Sequence, residues 1–206
     1  MLLLHRSVVG HSLLCMLVFS VASVMSRGQT LSSANTKLAL KAALVLTPEF
    51  CATKIKDTTL HRGDFEIGNA ACAALEPALR GVFPDLIRVD ESAAVKDAQV
   101  VLLPRVVDAR TTQPGNVLHD FNRRNMVVEL EWTVKDMSGR TVWIGTVQGT
   151  ATGHVGSAVT IGKDRKILVQ AAMTNAAEQS ASDISLAPEL RKFAGTSAPI
   201  LPTPVP

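Results

Sequence analysis

The 206-residue chain contains no tyrosine, two tryptophans and six phenylalanines. So few aromatic side chains leave little of the stacking platform on which single-stranded nucleic acids and many sugars are held. Concentrated charge of one sign is also missing. The formal charge is +3 with both signs scattered, so there is no basic stripe to neutralise phosphates, and nucleic acid is excluded as an expected partner. The glycines fit neither Gly-x-Gly-x-x-Gly nor a Walker loop ending in Gly-Lys-Ser/Thr, so no nucleotide and no other cofactor is expected.

Catalytic patterns are equally thin. No Gly-x-Ser-x-Gly occurs, and the nearest look-alike, Gly156-Ser157, sits in a glycine-dotted stretch. Beyond the first 26 residues the histidines are His61, His119 and His154, each in an expected loop and none with a ligand-spaced partner. His61-Arg62-Gly63-Asp64 and His119-Asp120 place a carboxylate beside an imidazole. A metal site needs three or four convergent ligands, so no metal is expected. Glu129 and Glu131 share one strand face and read as the solvated face of a hairpin rather than a pair bracketing a substrate.

What is present begins at the N-terminus. His5 and Arg6 precede an uncharged, mostly apolar run from Ser7 to Ser26 that ends in small residues. This reads as an export signal, with Ser20-Val21-Ala22 at the usual recognition positions and Val24-Met25-Ser26 as a second site. The run is close to the roughly 20 residues of a membrane-spanning helix, so an uncleaved anchor is the alternative, with membrane association through that segment. With cleavage the domain is expected in the periplasm or outside the cell; with the run retained it is a membrane-tethered protein, and the compartment then depends on which side the domain faces. Cleavage would leave roughly 180 residues, the usual size of a single domain with its own core.

Removal of the signal takes Cys15 with it and leaves Cys51 and Cys72. In an oxidising compartment these two form the candidate disulfide, closing a loop of about 20 residues for roughly 3 kcal/mol by chain-entropy arithmetic. The sharper reading is a reactive thiol at Cys51, which has Lys54 and Lys56 nearby; Cys72 lies among alanines.

Alternation of apolar residues predicts a first strand from Leu38 to Leu46, with the leucines on one face and Ala39, Lys41, Ala43 and Val45 on the other. It ends at Thr47-Pro48-Glu49-Phe50, and a polar connection runs from Thr53 to Asp64. Ile67, Ala71, Ala74, Leu75, Ala78, Leu79, Val82 and Phe83 fall at helical spacing, with Pro77 predicting a kink or two short helices. Short strands follow at Leu86–Val89 and Ala98–Ala109, where Pro104 points to a bulge or an edge. Thr111 to Arg124 reads as an exposed loop. Met126, Val128, Leu130, Trp132 and Val134 mark the buried face of a strand, and Asp136-Met137-Ser138-Gly139 turns the chain into a partner strand from Thr141 to Val147. A two- or four-residue loop puts Trp143 on the face of Trp132, whereas a three-residue loop turns it outward. Glycines 145, 149, 153, 156 and 162 read as a strand end entering a mobile loop. A last helix begins near Asp164 with a small-residue face, Val169, Ala172, Met173, Ala176, Ala177, Ser180 and Ile184, suited to close packing. Pro188 ends it or starts a short turn through Phe193.

Leu44-Val45-Leu46-Thr47-Pro48-Glu49-Phe50, Ile67-Gly68-Asn69-Ala70 leading to Leu75-Glu76-Pro77-Ala78-Leu79, Asp97-Ala98 entering a strand with Pro104, and the turn Asp136 to Gly139 carry a resemblance. Together with the signal they resemble the two-layer domains of small bacterial cell-envelope proteins, including LPS-assembly-type and other outer-membrane accessory lipoproteins. The resemblance spans Leu38 to Ala187 and implies a non-catalytic accessory role. It stops short of outer-membrane anchoring, because Ser12-Leu13-Leu14 before Cys15 lacks the small residues expected ahead of a lipidated cysteine.

The expected architecture is an α+β two-layer sandwich: a mainly antiparallel sheet of about five strands with two main helices on one face. Residues 1–26 form the signal, 27–37 a flexible linker, 38–194 the domain and 195–206 a disordered proline-rich tail. The expected function is an exported envelope accessory or binding module that recognises an envelope protein or component. The proposed contacts are Arg123, Arg124, His119 and His154, from the loop Thr111–Arg124 and the glycine-dotted stretch after Val147. The rival is a small periplasmic hydrolase or thiol enzyme using His119, His154 or Cys51.

Overall fold

The computed structural model describes residues 37–56, 64–91, 95, 97–112, 123–155 and 161–197. In chain order the elements are β1 (Lys41–Val45), α1 (Pro48–Cys51), β2 (Ile55–Lys56), β3 (Asp64–Phe65), α2 (Ile67–Arg80), β4 (Asp85–Val89), β5 (Val100–Thr112), β6 (Arg123–Asp136), β7 (Thr141–His154), α3 (Ile161–Leu186) and α4 (Pro188–Ser197). The main sheet has the order β4-β1-β5-β6-β7, and β2 with β3 forms a separate two-stranded ribbon. Long antiparallel pairings join β5 to β6 and β6 to β7, while β1 pairs in parallel with β4 and β5. The fold is α+β, with α2 and α3 packed together over the sheet.

The alternation in β6 is realised in full. Met126, Val128, Leu130, Trp132 and Val134 are all completely buried. They meet Ala172, Met173, Ala176 and Ala177 of α3 and Leu75 and Leu79 of α2 in one core. The β1 strand departs from its expected half-buried form. Ala43 and Val45 are buried as well as Ala42 and Leu44, because Val95 and Ala98 close over Ala43 from the outer side. A strand central to a sheet and parallel on both sides is covered on both faces.

Three further expectations are corrected, and the choice left open at Pro104 is decided. Pro77 does not divide α2, which runs unbroken from Ile67 to Arg80. Leu75 and Leu79 on either side of it are fully buried, and that packing offsets the one backbone hydrogen bond proline removes. The predicted Thr111–Arg124 loop is shorter, since Thr111 and Thr112 belong to β5 and Thr111 is buried; residues 113–122 lie outside the described residues. Pro104 sits in the part of β5 beyond its pairing with β1, an edge position, and the bulge falls later, between Val106 and Asp108. Gly195 to Ser197, read as tail, are the end of α4.

The hairpin turn contains an instructive compensation. Asp136 and Arg140 close a connection of Met137, Ser138 and Gly139, with Gly139 at φ +85°, the left-handed conformation that glycine adopts without strain. Such a loop alone turns Trp143 outward. A second register shift, which leaves Val142 as the extra residue, restores the face, so Trp143 pairs with Val134 and Gly145 with Trp132.

The glycine-dotted stretch is strand rather than loop, because β7 continues to His154. A Cβ at Gly149 would lie 2.1 Å from the Ala172 carbonyl oxygen and 2.4 Å from the Ala176 amide nitrogen. A Cβ at Gly145 would strike the Trp143 ring at 2.2 Å. These glycines give room for the α3 backbone and for one indole. The contact is locked by a buried hydrogen bond from Trp132 Nε1 to Ser180 Oγ at 2.8 Å, and the Ser180 hydroxyl donates to the Ala176 carbonyl at 2.7 Å. Both buried polar groups are thereby satisfied.

Candidate functional site

Residues 47–56 and 64–66 form an arm clamped onto α2. Thr47 caps α1 by accepting the Phe50 amide hydrogen bond, and Pro48 occupies the first helical turn, where its missing N–H costs nothing. The arm is held by the Cys51–Cys72 disulfide, by the Gly68 amide donating to the Thr53 carbonyl at 3.0 Å, and by close backbone approach. A Cβ at Gly68 would lie 2.2 Å from the Phe50 carbonyl oxygen. Lys54 and Glu66 add an exposed ion pair. The predicted disulfide is therefore present, and the Cys51 sulfur that a thiol enzyme would use is committed to it.

The arm ends by burying Phe65. The Arg165 guanidinium of α3 lies over the Phe65 ring, 4.5 Å from its centroid, a cation–π contact strengthened by burial. Arg165 is itself more than nine-tenths buried. Between the arm, the start of α2 and the first turns of α3 is a cleft of about 480 Å³. Phe65, Ala70 and Val169 give it an apolar floor; Asn69 and Gln170 give it amides; Asp64, Glu66, Arg165 and Lys166 give it both signs of charge. A second hollow of about 340 Å³, lined by Pro48, Ala52, Thr53 and Lys54, shares Glu66 and Asn69 with the first. The cleft can hold a mixed polar and apolar group by hydrogen bonds, paired charges and contact with the Phe65 wall.

The residues singled out from sequence fall elsewhere. Arg123 and His154 stand opposite each other in the β6–β7 register, at the end of the sheet where β6 begins and β7 runs out. Arg124 faces Gly153, and its guanidinium donates to the Arg123 carbonyl. His61, His119 and Ser157 lie outside the described residues. A Cβ at Gly153, next to His154, would lie 2.8 Å from Leu168 of α3, the residue before Val169 of the cleft. Glu131 and Glu129 are engaged across strands, by Arg105 through two hydrogen bonds and by Gln148 through one. The Arg105 guanidinium holds the Glu131 carboxyl below its ordinary range, mainly through that hydrogen bonding. Sequence reading missed the cleft, although one signal was available: Arg165 puts a charge on the apolar stripe of α3, four residues before Val169.

Among the described residues no group of three or more His, Cys, Asp or Glu side chains is placed to hold a metal. No helix among them is long and apolar enough to cross a membrane.

Neither a protein-family model nor a curated protein sequence matches the chain. Three bacterial lipoproteins are among the solved structures to which its fold is similar. A putative lipoprotein from Caulobacter crescentus is 15% identical, with a TM-score of 0.42 over 63% of this chain and 83% of that one. A minor lipoprotein from Acinetobacter baumannii is 15% identical, with a TM-score of 0.43 over 70% and 92%. The rare lipoprotein B from Shewanella oneidensis is 13% identical, with a TM-score of 0.36 over 75% and 95%.

Proposed function

We propose that the chain is an exported, non-enzymatic binding module of the bacterial cell envelope, which recognises an envelope protein or component at the cleft end of the domain. The observation that carries this reading is the cleft itself, with one wall stapled in place by Cys51–Cys72. A structural disulfide persists in an oxidising compartment, in keeping with the apolar N-terminal run. The side chains lining the cleft supply hydrogen bonds, charge and apolar contact, which are the means of recognition. Arg123 and His154 extend the contact surface at the same end of the sheet.

The test is expression of the full chain in a bacterial host with an export pathway, carrying a photocross-linker in place of Lys166 or, as the control, Thr133 on the opposite sheet face. The expected result is an exported product whose two cysteines resist alkylation until reduced. It should cross-link to one defined envelope species from position 166 and not from 133, and lose that product with Asn69→Ala and Arg123→Ala together. Retention of the domain in the cytoplasm, or identical products from both positions, overturns the reading.

A further inference from the structure

Among the described residues no further strand pairs with either edge of the sheet, and the two edges are guarded differently. On one side are β4, which carries Asp85 and Arg88 within five residues, and the part of β5 beyond β1, which carries Pro104, Arg105, Arg110 and a bulge. Charges, proline and bulges are the usual means by which an exposed strand avoids pairing with another chain. On the other side, β7 runs for 14 residues from Thr141 to His154 without a charged residue before His154 and without proline.

Two devices interrupt the β7 edge. The first is the register shift at Val142. The second is Asn175 of α3, whose Oδ1 accepts the Thr150 amide hydrogen bond at 3.0 Å. That bond also shows which amides point outward. Backbone groups alternate in direction along a strand, so Ile144, Thr146 and Gln148 present N–H and C=O to the open side, as Thr150 does. Among the described residues, no other element donates to or accepts from these three backbones. Their side chains lie on the exposed outer face, and Ile144 is 62% exposed.

We propose that this gap takes the same gap of a second copy, β7 pairing antiparallel with β7 about a two-fold axis at Thr146, so that two five-stranded sheets become one. The segment is self-complementary. Thr146 faces its own copy and Ile144 faces Gln148, with about six backbone hydrogen bonds between the strands. On the inner face Val147 comes opposite Gly145, over which the Trp143 indole lies, so an apolar side chain meets an apolar ring. No charge is brought against its like. This chain's own tail is a poor occupant, since Pro199, Pro202, Pro204 and Pro206 cannot donate to a ladder.

The experiment is sedimentation of the full chain, as recovered from the exporting host, over a concentration series, beside Thr146→Pro, Thr146→Lys and Thr146→Cys variants. Proline at an outward-pointing edge position spares the β6 pairing and removes the central donor; lysine there opposes its own copy. The expected result is a reversible dimer in the parent chain that weakens by more than about tenfold in the proline variant, which removes the Thr146 N–H of each copy, and that weakens also in the lysine variant, where like charges are brought together. Their circular dichroism should be retained, and the cysteine variant should form a 146–146 linked peptide under mild oxidant, identified by mass spectrometry. A parent chain that stays monomeric overturns the proposal. So does a dimer indifferent to whichever of the proline and lysine variants folds, or absence of the 146–146 peptide from an oxidised dimer.

Discussion

The two helices that cover the sheet are attached by opposite means. On the α2 side contact is made by bulk: Ile67, Leu75, Leu79, Val82 and Phe83 fill the layer, and the Cys51–Cys72 bond pins α1 to the helix. On the α3 side contact is made by removing bulk, with Gly149 beneath Ala172 and Ala176 and a single buried hydrogen bond from Trp132 to Ser180. Large side chains hold elements apart as well as together, and the cleft lies where the bulk-spaced arm and α2 meet the first turns of α3. At Gly149 close backbone approach instead brings α3 directly onto β7.

The comparison can be broken most sharply at Trp132. Trp132→Ala should cost about 3–5 kcal/mol and loosen α3 before α2, read as faster hydrogen exchange in α3. Trp132→Phe, which keeps most of the volume and loses the donor, should cost less. Next comes the other half. The double substitution Cys51→Ser with Cys72→Ser closes no loop and should lose about 3 kcal/mol, with protease sensitivity appearing between Thr47 and Ile67 while β6 and β7 stay protected. Gly149→Ala drives a methyl group into the α3 backbone and should cost about 1–3 kcal/mol. Gly162→Ala, in the same helix with open space around it, should be neutral or gain up to about 1 kcal/mol; equal effects at 149 and 162 in chemical denaturation would dismiss the close-approach account.

The smallest effect concerns pH. Asp136 at the hairpin turn is held below the ordinary carboxylate range, first by the Ser138 hydroxyl and then by the Ser138 and Arg140 amides and the Arg140 side chain, against an opposing desolvation contribution. A carboxyl depressed in the folded state contributes stability that is complete above its unfolded value near 4 and is lost as pH falls through the folded value. Melting followed from pH 7 to pH 3 should show a shallower acid decline in Asp136→Asn than in the parent chain.

These elements also mark how far sequence reasoning reached. The β6 strand was legible because its period of two meets a single buried face, and α3 because its small-residue stripe is long. The β7 strand was read too short because glycine is an ordinary loop signal, and nothing local distinguishes a glycine that turns the chain from one that makes room for a helix. The Trp143 face came out as two of the three loop lengths require, yet by a three-residue loop corrected by a second shift. Each shift alone reverses every later side chain, and only the pair preserves the pattern. The cleft was illegible for a different reason: its walls come from residues 64–70 and 162–170, and the spacing of neither segment refers to the other.

The strand order carries a consequence for how the domain is assembled as a chain emerging N-terminus first. Once β4 has paired with β1, β5 takes the free side of β1, β6 takes β5 and β7 takes β6. No strand must be inserted between two already joined, and the disulfide closes within the earliest part. The sheet is thus extended in a single direction, each new border serving as template for the next arrival. Among the described residues no strand follows β7, so its border is the last one that this growth leaves.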